Sequence, residues 1–464
     1  MRHLVRDISH LEGQEIHLSG WVHVRRDHGK IIFIDIRDRT GIAQLVVLPS
    51  DNQAYEQANR VRDEWVIRVR GTVQKRPEKL WNEKLESGKY EVHVQELEVL
   101  NESKTPPFPL DTEGRDIEEE LRLKYRYMDL RRTRMQKNIK LRSQFVDRVR
   151  QFYFSKEFLE IETPMLTKST PEGSRDFVVP SRLHPGKYFA LPQSPQQYKQ
   201  LLMASGFERY FQIARAIRDE DLRADRGFEH TQIDMEMSFA DREEVMHLNE
   251  EMIMTVVESM GYTLKEKSFP IITYAQAMER YGADKFDVRN DEEKEKGILA
   301  FSWVIDFPFF EKNKEGKWTF THNPFSHPKQ EHVEMLLKGE HIDHILTSQY
   351  DLVCNGYEVG GGSIRAHTAE ILQAVFKIMG YEEPVIREQF GHMLEAFSYG
   401  APPHGGIAMG VDRLVMILTG EQYLREVVAF PQTGSGKTSI MDAPSELSPD
   451  QLAELKINID RDSI

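Results

Sequence analysis

The chain has 464 residues, 39% of them hydrophobic, which is room for two or three globular domains with real cores. A single cysteine, Cys354, excludes an internal disulfide and a cysteine-based zinc site. Net charge is −14, which by itself does not point to nucleic acid. No apolar run reaches membrane-spanning length and the opening residues lack a secretory pattern, so a cytoplasmic setting with no membrane partner is expected.

The charge is unevenly spread. Residues 1–100 balance 16 Lys and Arg against 16 Asp and Glu, so the rest of the chain carries the whole deficit. The neutral part clusters its positives at Arg25, Arg26 and Lys30 and at Lys75, Arg76 and Lys79, a local basic surface of the kind RNA binding needs; ordinary charged loops explain it equally well. Alternation predicts strands at Ile16–Arg25, Lys30–Arg37 and Ile42–Leu48, a helix at Asn52–Val61, then strands at Trp65–Lys75 and Tyr90–Leu100. Three strands, a helix and two strands is the order of an OB-fold, a partly open barrel that binds single-stranded nucleic acid. Thr105-Pro-Pro-Phe-Pro109 blocks helix and sheet, so residues 105–120 read as a linker between a 1–104 domain and a 121–464 domain.

The second domain opens on a helix near Met135–Phe154, followed by Phe158-Leu-Glu-Ile-Glu-Thr-Pro-Met-Leu166. Tyr210–Phe239 alternates, breaks into a charged loop, and alternates again, predicting a hairpin whose tip is held by arginines and acids rather than by a tight turn. Arg218, Glu220, Arg223 and Arg226 on that tip can clamp a polyphosphate and a base; a merely solvated tip is the competing reading. Tyr350–Val359 centres on Asn355-Gly356, the strongest two-residue turn signal, which pairs Cys354 with Tyr357 and Val353 with Glu358. Asp351 and Glu358 then become diagonal neighbours on one face, close enough to share an ion, beside Gly360-Gly-Gly362, where missing side chains let a ligand approach. Gly405–Leu414 reads as a strand, a glycine and a helix start. Arg413 at that helix N-terminus is unfavourable unless an anion binds there. Gly434-Ser-Gly-Lys-Thr438 ends like a P-loop, but the required leading glycine falls at Pro431, so the match fails.

The Phe158–Leu166 segment with its helix, the Arg218 hairpin and Gly410-Val-Asp-Arg413 resemble, in the right order, motifs 1, 2 and 3 of the class II aminoacyl-tRNA synthetases. Gln193-Ser-Pro-Gln-Gln-Tyr-Lys199 and Gly356-Tyr-Glu-Val-Gly-Gly-Gly-Ser363 are similar to the bacterial-type aspartyl branch of that family, and the resemblance covers nearly the whole chain. It implies an α+β catalytic domain built on an antiparallel sheet flanked by helices, preceded by the anticodon-binding OB-fold, and a homodimer formed through the motif 1 helix. The implied reaction joins L-aspartate to ATP as aspartyl-adenylate, then moves the aspartyl group to tRNA(Asp). By the resemblance, Arg218 bridges the α-phosphate and the reacting carboxylate, and Arg413 takes the γ-phosphate. Asp219, Glu220, His230, Glu358, Gly410, Val411 and Asp412 complete the ATP site. Two carboxylates, Asp351 and Glu358, together with ATP phosphates suit Mg²⁺.

The aspartate side chain is assigned to Lys199 and Arg365, a cation pair that leaves a neutral amide underneutralised. Glu172, Ser194, Gln196 and Asp234 would hold its ammonium group, Glu236 would orient the cations, and His322 would close the pocket. Thr170–Asp176 resembles a lid. In the anticodon domain Phe33 would stack on a base while Arg26, Gln44 and Glu91 contact base edges; a core aromatic is the other reading of Phe33. His28 in its loop resembles enzymes that also charge tRNA(Asn), whereas Lys79 in a second loop is less typical of those enzymes; His28 as a plain loop residue stays open. The chain departs from the family in three places: His230 stands for Phe, Gly227-Phe228 for Gln-Pro, and Asn323 for the second His of His-His-Pro-Phe. Between Tyr281 and Phe301 there is no room for the domain that bacterial relatives insert there. A paralogue that has lost catalysis and only binds RNA, and a relative using asparagine or lysine, are the rival readings.

Overall fold

The computed structural model describes residues 2–50, 52–83, 85–169 and 172–459. By compactness the chain divides into Met1–Gln136 and Lys137–Ile464. The proline-rich stretch and the short helices that follow it therefore lie with the first unit.

In the first unit β1 (Glu15–His28), β2 (Ile31–Arg37), β3 (Ile42–Val47), β4 (Val66–Lys75) and β5 (Tyr90–Asn101) form a barrel in the order β1-β2-β3-β5-β4, with α1 (Asn52–Arg60) between β3 and β4. The barrel is closed, not partly open, because β1 also pairs with β4 from Glu15–Thr72 to Trp21–Val66. Ile16, Leu18, Val22, Ile32, Ile34, Ile36, Leu45, Val69 and Val92 point inward at alternate positions and fill it. Phe33 lies between two of these inward residues and stays half-buried outside that core, so the core-aromatic reading fails. The short helices α2 (Glu119–Lys124) and α3 (Arg126–Asp129) follow, and α4 (Thr133–Ser155) begins just before the division.

The second unit holds an eight-stranded sheet. In chain order its strands are β6 (Leu159–Glu160), β9 (Arg209–Ile217), β10 (Glu229–Ser238), β11 (Ile271–Thr273), β12 (Phe301–Ile305), β15 (Gln349–Cys354), β16 (Tyr357–Ile364) and β17 (His404–Gly410). Separate two-stranded hairpins are β7 (Val178–Pro180) with β8 (Tyr188–Ala190), and β13 (Phe310–Lys312) with β14 (Trp318–Phe320). Spatial order is β11-β12-β15-β16-β17-β10-β9-β6; the middle is antiparallel and only the two edge pairs, β11–β12 and β6–β9, are parallel. The helices are α5 (Gln196–Ala204), α6 (Arg242–Ser259), α7 (Tyr274–Tyr281), α8 (Asp291–Glu295), α9 (Val333–Lys338), α10 (Ala369–Ile378), α11 (Glu383–Ser398), α12 (Val411–Thr419) and α13 (Pro449–Leu455).

One sheet face is packed on α4, α6 and α12 through Phe145, Val149, Met252, Ile253, Ile233, Met235, Ile407, Met409 and Val415. Alternation sends the intervening residues of each strand to the opposite face, and that face carries the polar groups. The five-residue helix α8, with Asn290 as its N-cap, is all that stands between Val288 and β12, so no domain is inserted there.

Candidate active site

The β9–β10 hairpin registers Asp234 against Gln212 and Glu236 against Tyr210, and β10 in turn registers Asp234 against Ala408 and Glu236 against Gly406 of β17. His230, Gln232, Asp234 and Glu236 therefore project from one face of one strand, over roughly 20 Å at about 3.4 Å per residue. The small residues opposite are required: a Cβ on Gly406 would sit 2.2 Å from Glu236 Oε2. Lys199, from α5, donates to Asp234 Oδ2 at 2.8 Å and lies 3.4 Å from Glu236 Oε2. Arg365, just past β16, donates from Nε to Glu236 Oε1 at 2.8 Å and from its other nitrogens to Ser363 Oγ and the Gly406 carbonyl. All four charged groups are buried. Burial would raise Glu236, yet Arg365 and Lys199 hold it below the usual carboxylate range. Burial pushes Asp234 up despite Lys199. Asp234 Oδ1 is buried with no hydrogen-bond partner, an acceptor left for a ligand.

At the other end of β10 the hairpin tip carries Arg218, Asp219 and Glu220. Its tip does contain a tight turn, contrary to the expectation from sequence: Arg223 and Arg226 exchange backbone hydrogen bonds across Ala224-Asp225 at 3.1 and 3.3 Å. Ion pairs add to that turn, with Arg226 2.8 Å from Glu220. Arg218 donates from Nε to the Gln193 carbonyl at 3.2 Å. Asp219 pairs with Arg175 at 3.3 Å, and Glu220 accepts from Ser174 Oγ, so both acids bind the 172–177 segment. Gln193 holds that segment too, accepting from Ser174 N at 3.0 Å and donating to Asp176 at 2.6 Å. Glu172 accepts from Ser194 Oγ at 2.8 Å; Gln196 bonds Gln200 at 3.0 Å. Of the predicted lid, Thr170 and Pro171 lie outside the described residues.

Half-buried His230 feels burial first and then Arg218, Arg413 and Arg215, which together push its pKa down to about 3. With its pKa pushed that low the ring stays neutral near pH 7, so it can stack on a base without adding a fourth cation. Arg413, in the first turn of α12, donates to the Glu358 carbonyl and lies 3.3 Å from Asp225 Oδ2, and its buried Nε has no partner. Asp412 was expected at the nucleotide, but both its oxygens are engaged elsewhere: Thr231 N donates at 2.9 Å and Arg142 of α4 pairs with the other. Val411 likewise turns its side chain into the core, and Gly410 is the N-cap of the helix.

The Asn355-Gly356 turn pairs Cys354 with Tyr357 and Val353 with Glu358 as expected, but a bulge follows. Val359 is extra, so Asp351 faces Gly361 rather than Gly360. A Cβ on Gly361 would sit 2.9 Å from Asp351 Oδ1, which is why the carboxylate fits there. Asp351 also accepts from Gln349 at 2.7 Å and lies 3.3 Å from His322 Nε2. Burial, with Glu358 adding repulsion, pushes Asp351 up; burial acts the same way on Glu358, but Lys285, 2.8 Å away, outweighs it. Burial would lower His322, yet Asp351 raises it. Asn323 caps the turn after it, accepting from Phe325 N at 3.0 Å and donating to Gln349. Among the described residues no cluster of three or more metal-ligating side chains occurs. The pair Asp351 and Glu358, hard oxygens that repel one another, still fits an ion that takes most of its ligands from water and phosphate.

Sequence reasoning missed Gln232 and Lys285. Gln232 lies between His230 and Asp234 on the same face with its buried Nε2 unpartnered, and simple alternation from Asp234 would have found it. Lys285 belongs to no motif and stands far from Glu358 along the chain; only the fold brings the two together.

On the barrel, Arg26 is registered against Phe33, Asp35 against Gln44, and Gln44 against Glu91. Arg26 forks onto Asp35 at 2.8 Å twice, Gln44 donates to Glu91 at 3.0 Å, and Glu91 also pairs with His93 at 3.0 Å. These side chains form one polar patch around Phe33. His28 ends β1 and Lys79 sits in the turn Glu78–Leu80, both exposed.

Residues 118–434 match the model of class II tRNA synthetases (D, K and N), and residues 16–100 match an OB-fold nucleic acid binding domain. An aspartate–tRNA ligase of Staphylococcus saprophyticus is 39% identical, covering 96% of this chain and 97% of its own. An aspartate–tRNA(Asp/Asn) ligase of Rubrobacter xylanophilus is 40% identical over 96% and 95%. The first alignment spans 571 positions, more than this chain has residues, so that relative carries internal sequence this chain lacks. Among solved structures, asparaginyl-tRNA synthetase of Pyrococcus horikoshii with asparaginyl-adenylate superposes with a TM-score of 0.73 at 24% identity, covering 95% of this chain and 97% of that one. The aspartyl-tRNA synthetase of Entamoeba histolytica gives 0.74 at 18%, over 93% and 91%.

Proposed function

Because the chain belongs to the class II tRNA synthetases of the aspartate, lysine and asparagine group, we propose that it is an aspartate–tRNA ligase that activates L-aspartate with ATP and transfers it to tRNA(Asp). The observation that carries the choice of amino acid is the buried set Lys199, Arg365, Asp234 and Glu236. Its charges cancel without a ligand. A substrate ammonium on the unpartnered Asp234 Oδ1 would neutralise Asp234 and release Lys199, which with Arg365 then faces the substrate's side-chain carboxylate. Asparagine would leave that released cation buried and unpaired, a cost of several kcal/mol. Lysine would add a third cation.

In adenylate formation the protein supplies positioning and charge rather than a nucleophile. Arg218 would bridge the α-phosphate and the attacking carboxylate, stabilising charge as it shifts onto the leaving pyrophosphate. His230 would stack on adenine, and Arg413, backed by Asp225 and the Glu358 carbonyl, would bind the terminal phosphate. Asp351 and Glu358 would hold Mg²⁺, which supplies further neutralisation of the polyphosphate. Glu172, Ser194 and Gln196 line the ammonium side, and His322 covers it. A paralogue without catalysis has no observation in its favour, since Arg218, Asp351, Glu358, Arg365 and Arg413 all gather on or beside one sheet face.

The patch of Phe33, Arg26, Gln44 and Glu91 supports anticodon reading, with His28 and Lys79 at its loops. We place the enzyme in the cytoplasm as a homodimer, and among the described residues no helix is long and apolar enough to cross a membrane. His28 favours charging of tRNA(Asn) as well. Pyrophosphate exchange run with aspartate, asparagine and lysine tests the amino acid, and exchange with asparagine or lysine alone would refute it. Charging purified tRNA(Asp) and tRNA(Asn) side by side tests the tRNA choice.

A further inference from the structure

We propose that Phe228 is a positioning residue for Arg218, seated between the 172–177 segment and the Thr433–Lys437 turn, and that Gly436 exists to make its seat. The proposal rests on the functional reading above. Arg218 is gripped at two points. Its backbone N–H donates to the Phe228 carbonyl at 2.7 Å, and its Nε donates to the Gln193 carbonyl. Both gripping residues also hold the same segment: Gln193 through Ser174 and Asp176, Phe228 through Phe177, edge-on with ring centroids 5.2 Å apart.

The outer end of the Phe228 ring also lies against Gly436. That glycine has φ +78°, and a Cβ there would stand 2.7 Å from Cε2 of the ring and 3.5 Å from Leu222. The turn that presents it closes through Thr433 N to the Lys437 carbonyl at 2.8 Å and Gly436 N to the Thr433 carbonyl at 3.0 Å. It is tied to the hairpin by Gln432 Nε2 donating to Glu229 at 3.1 Å. The Gly-Ser-Gly-Lys stretch that mimics a P-loop thus serves as a backstop for an aromatic ring. Phe228 belongs to the Gly227-Phe228 pair, one of the places where the chain departs from the family it resembles. A displaced ring moves the backbone that orients Arg218, and a shift of about 1 Å at a group acting in the transition state can cost about a hundredfold in rate.

The test is aspartate-dependent pyrophosphate exchange, with kcat expressed per active site titrated by the adenylate burst. Phe228→Ala should lower that kcat about ten- to a hundredfold with KM for ATP and aspartate moving by less than about threefold. Phe228→Leu, which refills the space, should recover most of the loss. Gly436→Ala should move kcat in the same direction as Phe228→Ala, while exposed Lys437→Ala should match wild type. A Phe228→Ala enzyme whose kcat per titrated site stays within about twofold of wild type, or a leucine variant as slow as alanine, would overturn the proposal. Wild-type exchange in the same series checks the functional reading separately, and its absence would sink both.

Discussion

At the scale of single residues, the site depends on groups whose charge is set by their neighbours. His230 is the clearest. Its surroundings push the pKa to about 3, so the folded protein refuses a proton that the unfolded chain accepts below about pH 6.5. The unfolded state then binds more protons, and stability falls as pH drops from about 6.5 toward 3. His230→Phe removes that penalty. The variant should resist acid unfolding better than wild type and keep a KM for ATP within about threefold, whereas His230→Ala should raise that KM about tenfold through lost stacking. Acid titration followed by fluorescence and exchange kinetics check the two halves. The sequence identified His230 as a departure from its family, but not its protonation state, which comes first from burial and then from Arg218 and Arg215 of its own hairpin and Arg413 of α12.

At the scale of elements, two devices build the site. The first is the Asn355-Gly356 hairpin, where local turn chemistry set the pairing near the tip and a bulge at Val359 changed it two residues further on. Bulges answer to what the strand packs against, here Gly361 making way for Asp351, so turn rules alone do not reveal them. The second is Asp412, which joins α12 to β10 through Thr231 and to α4 through Arg142. Asp412→Ala leaves a buried N–H and a cation without partners and should destabilise the enzyme by about 3 kcal/mol in urea unfolding. Asp412→Asn keeps an acceptor for Thr231 and should cost less. Had Asp412 contacted the nucleotide instead, both variants would raise KM for ATP at unchanged stability.

At the scale of the whole molecule, the proposed function assigns anticodon reading to the first unit and adenylate chemistry to the second. Phe33 lies on β2 of the barrel, and the proposed function gives it no part in the chemistry on the sheet of the second unit. Phe33→Ala should raise KM for tRNA between about fivefold and a hundredfold, the worth of one stacked base, while leaving tRNA-free pyrophosphate exchange unchanged. Loss of exchange in that variant would show that the units are not separable. The absent insert belongs to this scale too: α8 bridges Val288 to β12 in a few residues, and every site residue lies outside it.

The amino-acid sequence alone determined the order of elements in the first domain, the five-stranded barrel, the two long hairpins of the second and the strand–glycine–helix at Gly405–Leu414, because alternation, turn residues and motif spacing are local properties. Tertiary structure alone decided barrel closure, the bulge, the engagement of Asp412 by the fold, the orphaned Asp234 oxygen and the approach of Lys285 to Glu358. Each of those depends on which distant backbone lies alongside, and on how burial and neighbouring charge act together once water has been excluded.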